Sequence, residues 1–146
     1  MRYRFEECLE RGKIVAIAPD PALVEKELRE AAADLVSAER SLENGDDKWA
    51  TVQAYYAIFH ALRAPVLQLG FREKSHTCLR FAVEALLVDT GRMPSSVLTD
   101  LQQVMRAREG ADYGAVYSSA SAGMAIDAAR RIVSRVMAAM HEDDAE

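Results

Sequence analysis

The stretch ATVQAYYAIFHALRAPVLQL, residues 50–69, carries two apolar stripes rather than one. Large side chains recur in steps of three and four at Val52, Tyr55, Phe59, Leu62, Val66 and Leu69. Small side chains form a second stripe beside them at Ala50, Ala54, Ala57, Ala61 and Ala64. Positions three and four apart lie on the same face of an α-helix, so each stripe predicts a buried face. The stretch is therefore predicted to be a central helix with neighbours on two sides, kinked at Pro65.

One polar row remains on this central helix, and it consists of Gln53, Tyr56, His60 and Arg63. Because the other faces are apolar, this row must face water, a partner or a binding site. A histidine on such a buried helix is more often a satisfied core or interface residue than an acid or a base. Tyr56, four residues before His60, is its predicted hydrogen-bond partner.

Amphipathic helices are predicted on both sides of the central one. Asp20 and Pro21 are an N-cap and first-turn pair, and the helix that they begin is predicted to end at Asn44 and Gly45. The later predicted helices cover residues 75–90, 95–110 and 120–141. No strand pattern is found, so the predicted fold class is all-α, an antiparallel up-and-down helical bundle of four to five helices.

The length of 146 residues suits one domain with a real core and is short for two. We expect a single helical domain over residues 1–146, with residues 1–19 as an N-terminal extension and residues 142–146 as a frayed tail. No apolar run approaches the roughly 20 residues of a membrane span, and the first residues lack the apolar centre of a signal peptide. The chain is therefore expected to be cytoplasmic and to contact no membrane.

Charge and cysteine content exclude several classes of function. The net charge of −5 argues against a broadly basic nucleic-acid surface, although a local basic patch is compatible with it. Cys8 and Cys78 lack metal-ligand spacing, so free thiols in a reducing compartment are expected rather than a disulfide or a zinc site. The chain has no glycine-rich phosphate loop and no GxSxG elbow, and one Glu73–His76 pair is too little for a di-iron site. No cofactor and no metal are expected.

Residues 70–76, GFREKSH, place two basic side chains at the start of a predicted helix. Gly70 suits the left-handed position that ends the central helix, and Ser75 is a suitable N-cap for the next one. Lys74 and His76 oppose the positive end of that helix dipole unless an anion is present. A solvated helix start and an anion-binding site both remain open at this point.

Three segments in order resemble the HEPN domain family, small helical bundles of bacteria and archaea: AYYAIFHALRA (54–64), GFREKSHTCL (70–79) and REGADY (108–113). The opening of the chain, with PDP at 19–21, is also similar to a subset of the family, so the resemblance covers nearly the whole chain. It implies a prokaryotic homodimer that pairs with a minimal nucleotidyltransferase in a toxin–antitoxin operon. Many members of the family also cleave RNA without a metal ion, so the resemblance implies this activity as a possibility for the chain.

The ribonuclease motif of the family is incomplete in this chain. Catalytic members carry an arginine that is followed, a few residues later, by a histidine. Arg108 is the positional candidate, yet Tyr113 and its neighbours stand where the histidine is expected. Arg135 and His141 have the required spacing, but one such match is expected by chance in a chain of this composition. Catalytic residues are therefore left unassigned.

The residues predicted to bind a phosphate or a nucleotide are Tyr56, His60, Lys74, His76, Arg108, Asp112 and Tyr113. Lys74 and Arg108 are the expected phosphate contacts. His76 and Asp112 are their expected hydrogen-bonding neighbours, and the other three are the expected walls. For Asp112 and Tyr113, support and packing of the loop are the commoner roles of such residues.

The leading hypothesis is a HEPN-like homodimer that binds a nucleotide or RNA phosphate. It is expected to act with a minimal nucleotidyltransferase partner in a toxin–antitoxin-type system and to lack the usual Arg/His ribonuclease motif. One alternative is a metal-independent ribonuclease toxin in which Arg108 works with His76, supplied through space or across the dimer. Another is a purely structural interaction module. The hypotheses that involve phosphate require the start of the helix predicted at residue 75 to lie close to the end of the helix predicted to finish near residue 110.

Overall fold

The computed structural model describes the backbone of residues 2–112 and 117–145 and the side chains of residues 2–109 and 117–141. Within these ranges the chain forms six α-helices and two strands: α1 Arg2–Glu10, β1 Ile14–Ala16, α2 Pro21–Glu43, α3 Asp47–Gln68, β2 Phe71–Glu73, α4 His76–Val83, α5 Ser96–Asp112 and α6 Ser119–Ala145. A π-helical turn, Glu84–Val88, continues α4. The predicted all-α helical bundle is confirmed. In the described ranges, every helix is either too short or too polar to span a lipid bilayer.

The central position predicted for α3 is confirmed. All five alanines of its small-residue stripe are completely buried. Both α2 and α6 pack more extensively on α3 than on each other, and α5 packs against α3 and α6. Small side chains let the neighbouring helices approach α3 closely. The stripe of large side chains, which includes the buried Tyr55 and Leu62, fills the core.

The predicted helix caps are also found. Asp20 accepts hydrogen bonds from two N–H groups in the first turn of α2, at 3.2 and 3.3 Å. The Ser75 hydroxyl accepts one from the N–H of Cys78 at 3.1 Å. Gly70 has a φ of +92°, in the left-handed region that favours glycine. This turn ends α3 and returns the chain toward it, so that β2 and α4 pack beside α3.

The two strands correct the prediction that the chain contains none. β1 pairs antiparallel with β2, with Ile14 opposite Glu73 and Ala16 opposite Phe71. Each strand has three residues, which is too few to show the alternation of polar and apolar positions that predicts a strand. The pair positions Glu73, which is buried.

A disulfide bond between Cys8 of α1 and Cys78 of α4 joins the N-terminal segment to the bundle, with the two Cα atoms 6.0 Å apart. The prediction of free thiols is therefore wrong. The cysteines are 70 residues apart in sequence, and only the packing of α1 on α4 brings them together. Phe5 of α1 is 1% exposed, and its ring meets that of Phe71 edge-on at 5.4 Å between centroids. The first residues of the chain thus contribute to the core.

The last two helices extend further than their periodicity predicts. α5 ends at Asp112 rather than near Gly110, and α6 ends at Ala145 rather than at His141. An apolar stripe marks the part of a helix that packs against the core, whereas backbone hydrogen bonding can continue beyond it.

Candidate functional site

Two carboxylates are buried beside the polar row of α3. Glu27 of α2 is 5% exposed and Glu73 of β2 is 4% exposed. His60 Nδ1 donates a hydrogen bond to Glu27 Oε2, and Arg63 Nη1 donates one to Glu27 Oε1 at 3.3 Å. Arg63 Nε also donates to Glu73 Oε1 at 2.5 Å. Arg63 is therefore the cation that the two glutamates share. We call Glu27, His60, Arg63 and Glu73 the carboxylate network.

The ionisation of Glu27 depends on its basic neighbours. Burial raises the pKa of Glu27, but the hydrogen bond from His60 and the positive charge of Arg63 outweigh burial, so the pKa lies below its ordinary value. Glu27 is thus ionised at neutral pH. Glu73 is less completely satisfied, because its Oε2 atom is buried without a hydrogen-bond partner among the described residues.

The predicted hydrogen bond between Tyr56 and His60 is wrong. The imidazole of His60 faces Glu27 instead, and its Nε2 atom lies 3.6 Å from Asp34 Oδ2. The reason is that α2 packs along this face of α3 and supplies two carboxylates. A carboxylate is a stronger acceptor for an imidazole N–H than a phenol oxygen is. His60 therefore belongs to the carboxylate network.

A second group of side chains surrounds Tyr55, which is 2% exposed. The hydroxyl of Tyr55 is hydrogen-bonded to His76 Nδ1. The guanidinium of Arg108 lies 4.5 Å from the ring centroid of Tyr55 and 5.5 Å from that of Tyr56. We call Tyr55, Tyr56, His76 and Arg108 the Tyr55 surface. Its members come from α3, the start of α4 and the last part of α5, so three separate segments converge on one tyrosine.

Phe59 connects the Tyr55 surface to the carboxylate network. Its ring centroid lies 4.3 Å from that of His76 and 4.5 Å from the guanidinium of Arg63. Such a guanidinium–ring contact is attractive but leaves the cation charged. Arg63 therefore acts electrostatically on His76 as well as on the buried glutamates.

The two hydrogen-bonded rings of the Tyr55 surface are both neutral near pH 7. Burial lowers the pKa of His76, and the positive charges of Arg108 and Arg63 lower it further. Burial raises the pKa of Tyr55, an effect that Arg108 partly offsets. His76 is thus kept unprotonated in a strongly cationic environment.

The Arg108→Met substitution is expected to raise the pKa of His76, because it removes a positive charge that disfavours the imidazolium. The pH titration of the His76 ring protons by NMR measures this change. Arg106→Met is the matched control, since Arg106 lies on the same helix, is exposed and is not among the groups that shift His76. A His76 pKa that is the same in wild type and Arg108→Met would contradict the described arrangement.

The other predicted site residues are placed elsewhere or lie outside the described residues. The side chain of Lys74 is exposed, and its backbone N–H donates to the carbonyl oxygen of Lys13 at 2.7 Å. Among the described side chains, no hydrogen bond or ion pair joins Lys74 to Arg108. The side chain of Asp112 and all of Tyr113 lie outside the described residues. The structure therefore brings together His76, Arg108 and Tyr56 from the predicted set.

Three residues of the carboxylate network and the Tyr55 surface were not predicted from the sequence as site residues: Glu27, Tyr55 and Glu73. Glu27 stands three residues after Val24 and four before Ala31, so a carboxylate within the apolar stripe of α2 was an available signal. Tyr55 is predicted only as a core residue, although a buried tyrosine hydroxyl normally requires a partner. Glu73 gave no signal, because its burial depends on the strand pair.

The Tyr55 surface has the chemistry of an anion site. A guanidinium donates to phosphate oxygens in pairs, and an imidazole N–H can donate to a third oxygen. Tyr56 is 36% exposed, so part of its ring is open to stack on a base. Over residues 2–109 and 117–141, no three or more His, Cys, Asp or Glu side chains are grouped so as to hold a metal ion.

Comparison with protein-family models gives a match over most of the chain. The family model described as HEPN domain matches residues 24–139, a range that contains α3, the strand β2, α4 and α5 and most of α2 and α6. It therefore includes both the carboxylate network and the Tyr55 surface. No curated protein matches the chain.

Proposed function

Since the chain belongs to the HEPN domain family, we propose that it binds the phosphate of RNA or of a nucleotide on the Tyr55 surface. The observation that carries this proposal is the contact of both His76 and Arg108 with Tyr55. It unites two basic groups that are 32 positions apart in the sequence. The family's general link to nucleotides and RNA supports the same conclusion.

The proposed binding mode follows from the hydrogen bond between Tyr55 and His76. Because the phenol is neutral, its O–H donates to Nδ1, and the ring proton of the neutral imidazole is then on Nε2. The Nε2–H donates to one phosphate oxygen, while the Arg108 guanidinium donates to two others and supplies the compensating charge. Tyr56 stacks on the adjoining base or sugar.

The Arg108→Ala substitution is expected to weaken the binding of single-stranded RNA by about tenfold or more, as the loss of a charge-assisted hydrogen bond to phosphate implies. The dependence of log affinity on log salt should also become shallower by about one unit, because one fewer phosphate is neutralised. Fluorescence anisotropy with a labelled RNA at several salt concentrations, with EDTA present, measures both quantities.

The control for that experiment is Arg106→Ala, which removes the same charge from an exposed position two residues away. Wild-type affinity and salt dependence are expected for it, apart from a small general effect of charge. Equal losses in the two variants would mean that RNA responds only to net charge. That result, or a wild-type protein that binds neither RNA nor nucleotide, would overturn the proposal.

Metal-independent RNA cleavage is the second candidate function. The meeting of Arg108 and His76 at Tyr55 favours it, since a neutral imidazole beside a guanidinium can exchange a proton while the cation stabilises charge on the scissile phosphate. RNA incubated with EDTA should then be cut by wild type, but not by Arg108→Ala or His76→Ala. Cutting that survives both substitutions indicates a contaminant, and binding without cutting supports the first candidate.

The proposal includes a homodimer that acts in the cytoplasm with a minimal nucleotidyltransferase partner, in a toxin–antitoxin-type system. Family membership supports this part of the proposal. In such a system, Arg108 would bind the phosphate of RNA or of a nucleotide and would not take part in cleavage. A neighbouring nucleotidyltransferase gene and co-purification of its product are the supporting observations. Co-purification of a partner without any RNA or nucleotide affinity would favour the interaction module instead.

A further inference from the structure

A cavity of about 490 Å³ lies between α1 and the start of α4. The two cysteines of the disulfide line it, together with five charged side chains: Arg4, Glu7, Arg11, Lys13 and Arg80. No residue of the Tyr55 surface lines it. Small-molecule sites typically have volumes of roughly 300–1,000 Å³, so this cavity is large enough for a small ligand.

The charged lining is strongly positive, although the whole chain carries a net charge of −5. Four of the five charged side chains are cationic, and the fifth is the carboxylate of Glu7. Arg11 pairs with that carboxylate at 2.8 Å. Arg4, Lys13 and Arg80 therefore remain as an excess of positive charge, which attracts anions to this part of the surface.

One aromatic ring holds two of these cations. The guanidinium of Arg4 lies 5.5 Å from the ring centroid of Phe81, and that of Arg80 lies 5.0 Å from it. The ring attracts cations through its quadrupole but has no net charge, so it positions both guanidinium groups without neutralising them. Two like charges beside one ring repel each other, and an anion that contacts both removes this repulsion.

The start of α4 contributes to the same electrostatic potential. Ser75 and Thr77 line the cavity, and α4 begins between them at His76. The positive end of the helix dipole thus lies at the cavity. The Ser75 hydroxyl is held in place by the N–H of Cys78, and the disulfide fixes α1 against this end of α4.

We propose that this cavity binds the phosphoryl group of a small phosphate ester. A phosphoryl group carries close to two negative charges at neutral pH, which matches the excess of cations. Its oxygens accept pairs of hydrogen bonds from guanidinium groups such as those of Arg4 and Arg80. This site is separate from the Tyr55 surface and does not depend on the function proposed there. Inorganic phosphate and a phosphate ester share the required chemistry, and the experiment below distinguishes them.

The test is an NMR titration of the full chain, recorded as backbone amide spectra at constant ionic strength. The probes are inorganic phosphate, adenosine 5′-monophosphate and adenosine. Phosphate and the monophosphate are expected to shift the amide signals of residues 75–81 and of α1, whereas adenosine is not. Tighter binding of the monophosphate identifies an ester as the ligand, and equal binding identifies the phosphoryl group alone.

The Arg80→Met and Arg4→Met substitutions are each expected to weaken phosphate binding by about tenfold, the usual effect of removing a charged donor. Arg29→Met is the matched control and should bind like wild type, since Arg29 is an exposed residue of α2 that does not line the cavity. Arg4 is exposed as well, so its variant should fold even if Arg80→Met does not. The absence of phosphate-dependent shifts at residues 75–81 in wild type, or wild-type affinity in both variants, would overturn the proposal. So would binding of RNA, but not phosphate, at these residues.

Discussion

The Arg63→Met substitution is expected to lower the free energy of unfolding by about 3–5 kcal/mol, the usual result of removing one partner from a buried ion pair. Arg63 is the cation that Glu27 and Glu73 share, and both carboxylates are almost completely buried. Methionine keeps much of the packing against Phe59 but supplies no charge and no hydrogen-bond donor. Urea unfolding near neutral pH, followed by circular dichroism, measures the loss.

The same substitution should reverse the pH dependence of stability in mildly acidic solution. In wild type the folded-state pKa of Glu27 is lowered, so its stabilising contribution is present above the unfolded-state pKa of about 4.3 and is lost as the pH falls through the lower folded-state value. Without Arg63, burial, which is the largest influence on the pKa of Glu27, favours the protonated form of this carboxyl group. The folded variant then takes up protons more readily than its unfolded chain, so its stability should increase as the pH falls toward about 5.

Arg29→Met is the control for this prediction. Arg29 pairs with Glu25 at 3.8 Å on the exposed face of α2, with both side chains mostly in solvent. Its removal is expected to cost about 0–1 kcal/mol, as is usual for exposed ion pairs. Adding Glu27→Gln and Glu73→Gln to Arg63→Met should recover part of the lost stability, because the uncompensated charges are then absent. If Arg63→Met costs no more than Arg29→Met, Arg63 is not the residue that compensates the two glutamates.

The helices could be predicted because their signals are local. Apolar stripes within residues 50–69 place α3 at the centre, and Asp20 and Ser75 begin helices through hydrogen bonds to residues at most three positions away. The strand pair has no such signal. It joins Ile14 to Glu73, and each strand is too short to show a period of two. Its formation depends on how the packed helices bring the two connecting segments together.

The candidate sites show the same division between local and long-range signals. His76 stands out in the sequence as a basic residue at a helix start, and Arg108 lies in a segment that resembles the family. Their meeting at Tyr55 depends instead on the packing of α4 and α5 around α3. Local spacing also gave one wrong prediction. Tyr56 and His60 are four residues apart, which suits a hydrogen bond between them, but His60 is hydrogen-bonded to Glu27 of α2 instead. Only tertiary packing decides between two possible partners.

Removing the disulfide by the double substitution Cys8→Ala and Cys78→Ala is expected to lower the free energy of unfolding by about 2–4 kcal/mol. The bond connects residues 70 positions apart, and such a link removes many extended conformations from the unfolded chain. Both cysteines are buried, so the variant also loses contacts between α1 and α4. For a chain of this length the melting temperature should fall by roughly 4–16 °C, which differential scanning calorimetry measures.

Chemical reduction separates the effect of the bond from the effect of the substituted side chains. Treatment of wild type with a reducing agent should lower its melting temperature toward that of the double variant, whereas the variant should not respond. A thiol assay on the unfolded protein gives the number of cysteines that have been reduced. If wild type keeps its melting temperature when the assay shows complete reduction, then α1 is held by Phe5 and the strand pair alone. In that case the covalent link contributes little to stability, because the unfolded chain gains little freedom when it is broken.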